Sequence, residues 1–199
     1  MSVTGTYSGQ VNVGGVSAYG NISRSAVSQQ GHSIAAPAGK AGTLTTRTDN
    51  NTGEATLGTG HDLVQTDKVD VYWAAGRRYG MDVGVVVDLV VPIDGGAGDN
   101  LPDQATALVV CKRVPVAAAV DGDDVVMLAL SATKRCHVVL LDDGDAVLYA
   151  AELLANEPQV WALGAGIVNP LAGLAVASAA VTNGDSTAEA TVTIAFLHD

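Results

Sequence analysis

The chain is short of aromatic rings and of positive charge. Trp, Tyr and Phe together make up 4% of its 199 residues, with a single Phe. A core built without large rings is thin and filled by Ala, Val and Leu, which suits stacked β-layers better than a deep ligand cavity. Ten Lys and Arg stand against 21 Asp and Glu, a formal net charge of −11. That balance argues against nucleic acid as a partner, because phosphate binding needs clustered cations. Two cysteines, Cys111 and Cys136, define no disulfide framework and match no zinc spacing, so free buried thiols are expected. The opening MSVTGTYSGQVNVGG has neither the basic nor the apolar region of a secretion signal. Between Glu157 and Asp185 the chain carries no charge, yet Asn169-Pro170 interrupts the stretch, Gly164, Gly166 and Gly173 weaken any helix, and the flanks are acidic. A buried or subunit-facing loop leading into a strand is expected there, with no membrane span.

What the chain has instead is strand signal. Apolar residues reach 48%, and short β-branched runs alternate with Gly, Asn and Asp clusters. From Thr43 to Val110 six short strands are expected: Thr43–Thr48, Glu54–Leu57, Lys68–Trp73, Tyr79–Val86, Val87–Ile93 and Ala107–Cys111. In Lys68–Trp73 the alternation puts Val69, Val71 and Trp73 on one face and Lys68, Asp70 and Tyr72 on the other. So many short strands in so few residues fit a small, strongly bent, SH3-like barrel, since closure removes exposed sheet edges. From Arg113 the strands become longer and more apolar. The last puts Ala188, Ala190, Val192, Ile194 and Phe196 on one face, with Glu189, Thr191 and Thr193 on the other. The fold class is therefore all-β: an antiparallel β-sandwich, with the jelly roll among its forms, plus a small barrel.

Three segments follow from this pattern. Residues 1–40 form a Ser- and Gly-rich arm with a hairpin signal at Gln10–Val13 and Val16–Ile22 around Gly14-Gly15, expected to join the sandwich. Residues 41–112 form the barrel, read as an insertion with PAGKAG (37–42) and Lys112–Pro115 as its crossing points. Residues 113–199 form the sandwich. Charge divides unevenly: residues 1–40 carry +2, with Arg24 and Lys40 and no acid, whereas the barrel carries −5 and the sandwich −8. A mildly basic arm on an acidic body is suited to lying across a neighbouring copy.

Within the barrel, Gly60-His61-Asp62-Leu63 followed by Thr66-Asp67-Lys68-Val69 resembles the GHGL…GD.V pattern of small β-barrel modules in bacteriophage capsid- and tail-associated proteins. Gly60, His61, Leu63, Asp67 and Val69 match, and Thr66 stands where a Gly is usual. The resemblance implies a non-enzymatic virion component, made in the host cytoplasm and assembled in many copies with itself and other virion proteins. Capsid decoration is the leading role, with a tail-tube or other tail role as the alternative. A second alternative is a sandwich module binding carbohydrate or a host surface, for which Tyr72, Trp73, Tyr79, Tyr149 and Trp161 are the candidate platforms.

The residues offer little catalytic chemistry. His32, His61, His137 and His198 lack metal-ligand spacing. His61 is expected to bond within its loop, with Asp67 as partner, and His137 to be a satisfied core or edge histidine. Cys136 and His137 are adjacent on a strand and so point to opposite faces, which opposes a dyad. No nucleophile elbow, P-loop or dinucleotide fingerprint is present. No cofactor and no catalytic residue is expected. Asp94, Asp99, Asn100 and Asp103 are weak Ca²⁺ candidates, as oxygen ligands on a Gly-rich loop, although turns explain Asp and Gly without an ion. Arg24, Lys40 and the pair Arg77-Arg78, placed at a loop tip, are the candidate subunit contacts.

Overall fold

The computed structural model describes residues 5–13, 16–24, 28–162 and 169–198. Among them there is no α-helix. The chain opens with the hairpin β1 (Gly5–Val13) and β2 (Val16–Arg24) and continues into β3 (Ser28–Ala36). Six strands follow: β4 (Lys40–Arg47), β5 (Thr52–Leu57), β6 (Lys68–Trp73), β7 (Gly76–Val83), β8 (Val90–Gly98) and β9 (Ala107–Lys112). After Arg113 come β10 (Val114–Val116), β11 (Val120–Asp121), β12 (Val125–Ala132), β13 (Cys136–Leu141) and β14 (Val147–Leu153). The last are β15 (Gln159–Ala162), β16 (Ala175–Val176), β17 (Ser178–Asn183) and β18 (Ala190–His198).

Eight of these strands form two antiparallel sheets, ordered β15-β12-β18-β3 and β10-β17-β13-β14. Taken in chain order, the first pairs with the eighth, the second with the seventh, the third with the sixth and the fourth with the fifth. Alternate pairs fall in opposite sheets, which is the order of a jelly roll. Between the sheets lie Leu128, Leu130, Val138, Leu140, Val181 and the chain's only phenylalanine, Phe196, with alanines filling the narrow places. In β18 the expected alternation holds: Ala190, Val192, Ile194 and Phe196 are buried, while Thr191 and Thr193 face solvent. β13 behaves differently, because all six of its residues are buried.

The six strands from β4 to β9 close into a barrel, β4-β5-β8-β7-β6-β9. β9 returns beside β6 after the β6-β7-β8 meander, a Greek-key step. Leu44, Leu57, Val69, Val71, Met81, Ile93 and Val110 fill the interior. In the chain the barrel lies between the first two strands of the roll. Because β4 pairs with β9, the barrel's two ends emerge side by side.

Several local expectations need correction. Lys40, Ala41 and Gly42 already belong to β4, so the outward crossing shrinks to Pro37–Gly39 and the return to Arg113 alone. A Cβ on Gly39 would lie 2.5 Å from Val109 Cγ1 and 2.6 Å from Cys111 Sγ, so only glycine fits this crossing. The hairpin β1–β2 forms a sheet of its own, and the strand that joins the roll is β3. Gly14 and Gly15, read as its turn, lie outside the described residues, as do Gly164 and Gly166. The β7–β8 turn falls at residues 84–89, not between Val86 and Val87. Asp94–Gly98, read as a loop, is the second half of β8. It pairs with β7 through Asp94, Gly95, Ala97 and Gly98, and the positive φ of Gly95, Gly96 and Gly98 lets this irregular strand follow its neighbour.

Candidate functional site at the barrel–roll seam

β6 starts the site. Its alternation sends Val69 and Val71 into the barrel, as expected, but Asp70 and Tyr72 do not reach solvent. Asp70 is 0% exposed and Tyr72 6%, because the roll covers that face. The pairing of β6 with β7 shifts between Val69 and Val71, a bulge that places Asp70 against Tyr79 and Gly80. Gly80 has φ +67°, and its N–H donates to Asp70 Oδ1 at 2.8 Å.

The roll answers with one polar row. In the sheet register His137 of β13 stands between Glu152 of β14 and Thr182 of β17, all on the face turned toward the barrel. His137 Nδ1 donates to Asp70 Oδ2 at 2.8 Å and Thr182 Oγ1 donates to the same oxygen at 2.7 Å. Arg113, the single residue of the return crossing, closes on Asp70 Oδ1 through Nε at 3.2 Å and Nη2 at 3.1 Å. One buried carboxylate thus accepts from two strands of the roll, the linker and the barrel backbone. Burial alone would raise the Asp70 pKa. The hydrogen bond from His137, the Arg113 charge and the Thr182 hydroxyl outweigh burial and hold it below the usual carboxylate value.

Around this centre the seam is aromatic and then ionic. The Tyr79 ring stacks on His137, with centroids 3.9 Å apart and planes at 20°. Tyr72 meets Tyr79 edge-on at 6.0 Å, and the Arg135 guanidinium lies 5.4 Å from the Tyr72 centroid. Burial and the nearby Glu152 push the Tyr79 hydroxyl up to about 12. Glu152 binds Arg77 from the barrel at 2.9 Å and Arg135 from the roll.

Chemically, Asp70 and His137 form the carboxylate–imidazole half of a relay. The hydroxyl at hand, Thr182, donates to the carboxylate and not to the ring. Cys136 faces the opposite way, into the roll core, as the strand alternation requires. Burial pushes its thiol up to about 12 and raises that of Cys111 as well, so both are protonated near neutrality. Among the described residues, no three of His, Cys, Asp and Glu converge as metal ligands.

The residues singled out from sequence fall elsewhere. Asp94 accepts from Thr52 Oγ1 at 2.6 Å, Asp99 from the Arg77 backbone N–H at 3.0 Å, and Asp103 from Arg47 at 3.0 Å. Asn100, between Asp99 and Asp103, is exposed. These carboxylates serve three different protein donors, and a strand occupies the place of the expected ion-binding loop. Arg78 is no subunit contact: it is 8% exposed and donates to the carbonyls of Gly95, Gly96 and Asp99 inside the barrel. Arg77 is the second residue of β7 and spends its charge within the chain, on Glu152. Lys40 opens β4 opposite Val110, and Arg24 ends β2 opposite Gly5. His61 bonds within its own loop only by accepting from the Leu63 N–H at 3.2 Å, and its other ring nitrogen reaches the Asp88 carbonyl of the β7–β8 turn at 3.0 Å. Asp67 is not its partner and pairs with Lys112 at 2.7 Å.

Asp70 was missed because its strand reads as half-solvated. The available signal was CHVVLL at 136–141. An apolar run without alternation implies a strand covered on both faces, and a histidine there must find a buried partner. No protein-family model, curated protein or solved structure matches this chain.

Proposed function

We propose that this protein is a non-enzymatic structural component of a phage-like virion, assembled in many copies, with capsid decoration as its role. The observation that carries the reading is the N-terminal hairpin. β1 and β2 pair with each other over nine residues and with no other described strand. A lone two-stranded hairpin is marginal in water, so it gains its stability by lying on a neighbour. Residues 1–36 carry one cation, Arg24, and no acid, while the rest of the chain is acidic, so another copy supplies the complementary surface.

Two further features support the reading. Jelly rolls recur in viral capsid proteins, although lectins use them too. At one end of the barrel, the loops tied by the His61–Asp88 bond expose Val64, Val85, Val87 and Leu89 by 57%, 61%, 61% and 37%. Apolar side chains grouped on paired loops mark a contact surface.

Native mass spectrometry on the full chain and on a form lacking residues 1–27 tests the assembly. The expected result is a defined oligomer that becomes monomeric without the hairpin, at unchanged melting temperature. A full-length chain that stays monomeric at every attainable concentration overturns multi-copy assembly. A portal, major capsid or tail-tube gene beside its own would carry the virion half of the reading.

A further inference from the structure

The β1–β2 ribbon has two unlike faces. Residues directly opposite each other in an antiparallel ladder share a face, and alternate pairs take opposite faces. The register from Gly5↔Arg24 to Val13↔Val16 therefore gathers Tyr7, Val11, Val13, Val16, Ala18 and Ile22 on one face, with Arg24 at its root. The other face consists of Ser, Thr, Asn and Gln apart from Tyr19. Rows divided so cleanly belong to a ribbon that is covered on one side. Two strands cannot supply that cover themselves.

The barrel carries a surface that fits this face. Of the seven exposed large apolar side chains among the described residues, four stand together on the paired loops at one end: Val64, Val85, Val87 and Leu89. The loops are held in place. Asp67 Oδ2 accepts from the Val64 N–H at 2.9 Å, and Val87 and Val90 exchange backbone bonds at 3.1 and 2.9 Å. A patch fixed in this way loses little entropy when it is covered. Asp62 and Asp88, both exposed, border it, and neither pairs with a cation among the described residues. From Arg47 onward each Lys and Arg is engaged inside the chain, seven with carboxylates and Arg78 with carbonyls. A cation for this border must come from earlier in the sequence, and the ribbon brings Arg24 on its apolar face.

The two surfaces sit at different ends of the fold. The Gly58 N–H donates to the Ala41 carbonyl at 3.3 Å and the Leu57 N–H to the Leu89 carbonyl at 2.9 Å, which places the patch beside the crossing. The ribbon is rooted at the other end of β3, where Ser28 stands opposite His198. Nine residues of strand separate that end from the crossing by about 30 Å. Arg24 lies only four residues before Ser28, a reach of at most about 14 Å. We infer that the apolar face of the ribbon covers the Val64, Val85, Val87 and Leu89 patch of a second copy, with Arg24 against Asp62 and Asp88. Unlike surfaces meet, so the contact is head-to-tail and closes into a ring or extends as a series. The inference rests on the multi-copy reading above and adds which two surfaces meet.

Native mass spectrometry of full-length variants, alone and mixed, tests it. The patch variant is Val85→Asp with Val87→Asp, and the ribbon variant is Val11→Asp with Ile22→Asp. Each alone should be monomeric where the wild type assembles, a loss of at least about a hundredfold in affinity. Mixed, they should form a one-to-one complex that grows no further, because the first keeps an intact ribbon and the second an intact patch. Two controls add charge elsewhere: Asn12→Asp with Asn21→Asp on the polar face of the ribbon, and Val147→Asp at an exposed valine of β14. Both should assemble as the wild type does. A patch variant that assembles normally overturns the inference and leaves the multi-copy reading standing, whereas a wild type monomeric at every concentration removes both. Monomeric variants that form no complex when mixed, or controls that also fail to assemble, overturn the inference as well.

Discussion

The two sheets of the roll share one core but meet different surroundings. In the sheet containing β18, the outward residues Thr191 and Thr193 face water and the strand alternates cleanly. In the sheet containing β13, the outward residues His137, Val139 and Leu141 are 4%, 1% and 8% exposed, because the barrel and neighbouring strands cover them. An antiparallel sheet can leave one face in water, so the second covering is an addition to the fold. The addition changes what its residues must do. On the open sheet an outward polar residue needs only solvent, whereas on the covered sheet His137 and Thr182 need Asp70, and Asp70 needs them. The barrel also differs from the roll in how it makes a core. It closes on itself with Leu, Ile, Met and Val, and the roll squeezes alanines between two sheets.

The comparison breaks most severely at Asp70. Asp70→Ala leaves Arg113 and His137 buried without their counter-charge, and removing one partner of a buried pair costs about 3–5 kcal/mol. Urea unfolding should show that loss, with the barrel and roll melting in separate steps where the wild type melts in one. A loss under about 1 kcal/mol would mean that the seam is solvated and the covered sheet is not truly covered.

Next comes the crossing. Gly39→Ala places a methyl group against Val109 and Cys111, and overpacking of this kind costs about 1–3 kcal/mol. Thermal denaturation of the variant checks it, and an unchanged melting temperature would mean that the crossing can yield. A matched pair then sharpens the contrast between sheets. Val139→Ala on the covered face should cost about 2 kcal/mol, and Thr193→Ala on the open face less than about 0.5 kcal/mol. Equal losses in chemical denaturation would erase the distinction.

The smallest effect lies in the acid limb. The native pKa of Asp70 lies below its unfolded value, about 3.9. Its ionised form therefore contributes in full above that pH. The contribution falls as the unfolded chain takes up its proton first, and it is gone once the pH passes below the native value. Stability measured from pH 5 downward should fall more steeply in the wild type than in Asp70→Ala. Parallel acid limbs would count against an ionised Asp70 in the fold.

Legibility in the sequence follows the same divide. β18 and the inward face of β6 were readable because one face meets solvent, and the contrast between faces is the signal. Turn chemistry is local and so is legible in a sequence such as DDGD at 142–145, where Asp142 accepts from the N–H groups of Gly144 and Ala146. Asp70, Tyr72 and Arg78 were misplaced for the complementary reason. Their burial comes from residues up to 112 positions away, as in the bond from Thr182 to Asp70, and no local pattern records it. The glycines at 95, 96 and 98 misled toward a loop, although β8 uses them to run through an irregular pairing. β3 was overlooked because SQQGHSIAA has a weak apolar face. It holds its place through β18, which lies at the far end of the chain.

That last pairing has a kinetic consequence. Joining Ser28 to His198 closes a loop of nearly the whole polypeptide, and searches of that span slow folding. The barrel's own pairings all lie between Lys40 and Lys112, so it can form without waiting for the C-terminus. Once β4 and β9 have met, they hold the outgoing β3 and the incoming β10 a few residues apart, and the remaining search is correspondingly shorter. The inserted barrel is in this sense a folding nucleus for the roll that surrounds it in the chain.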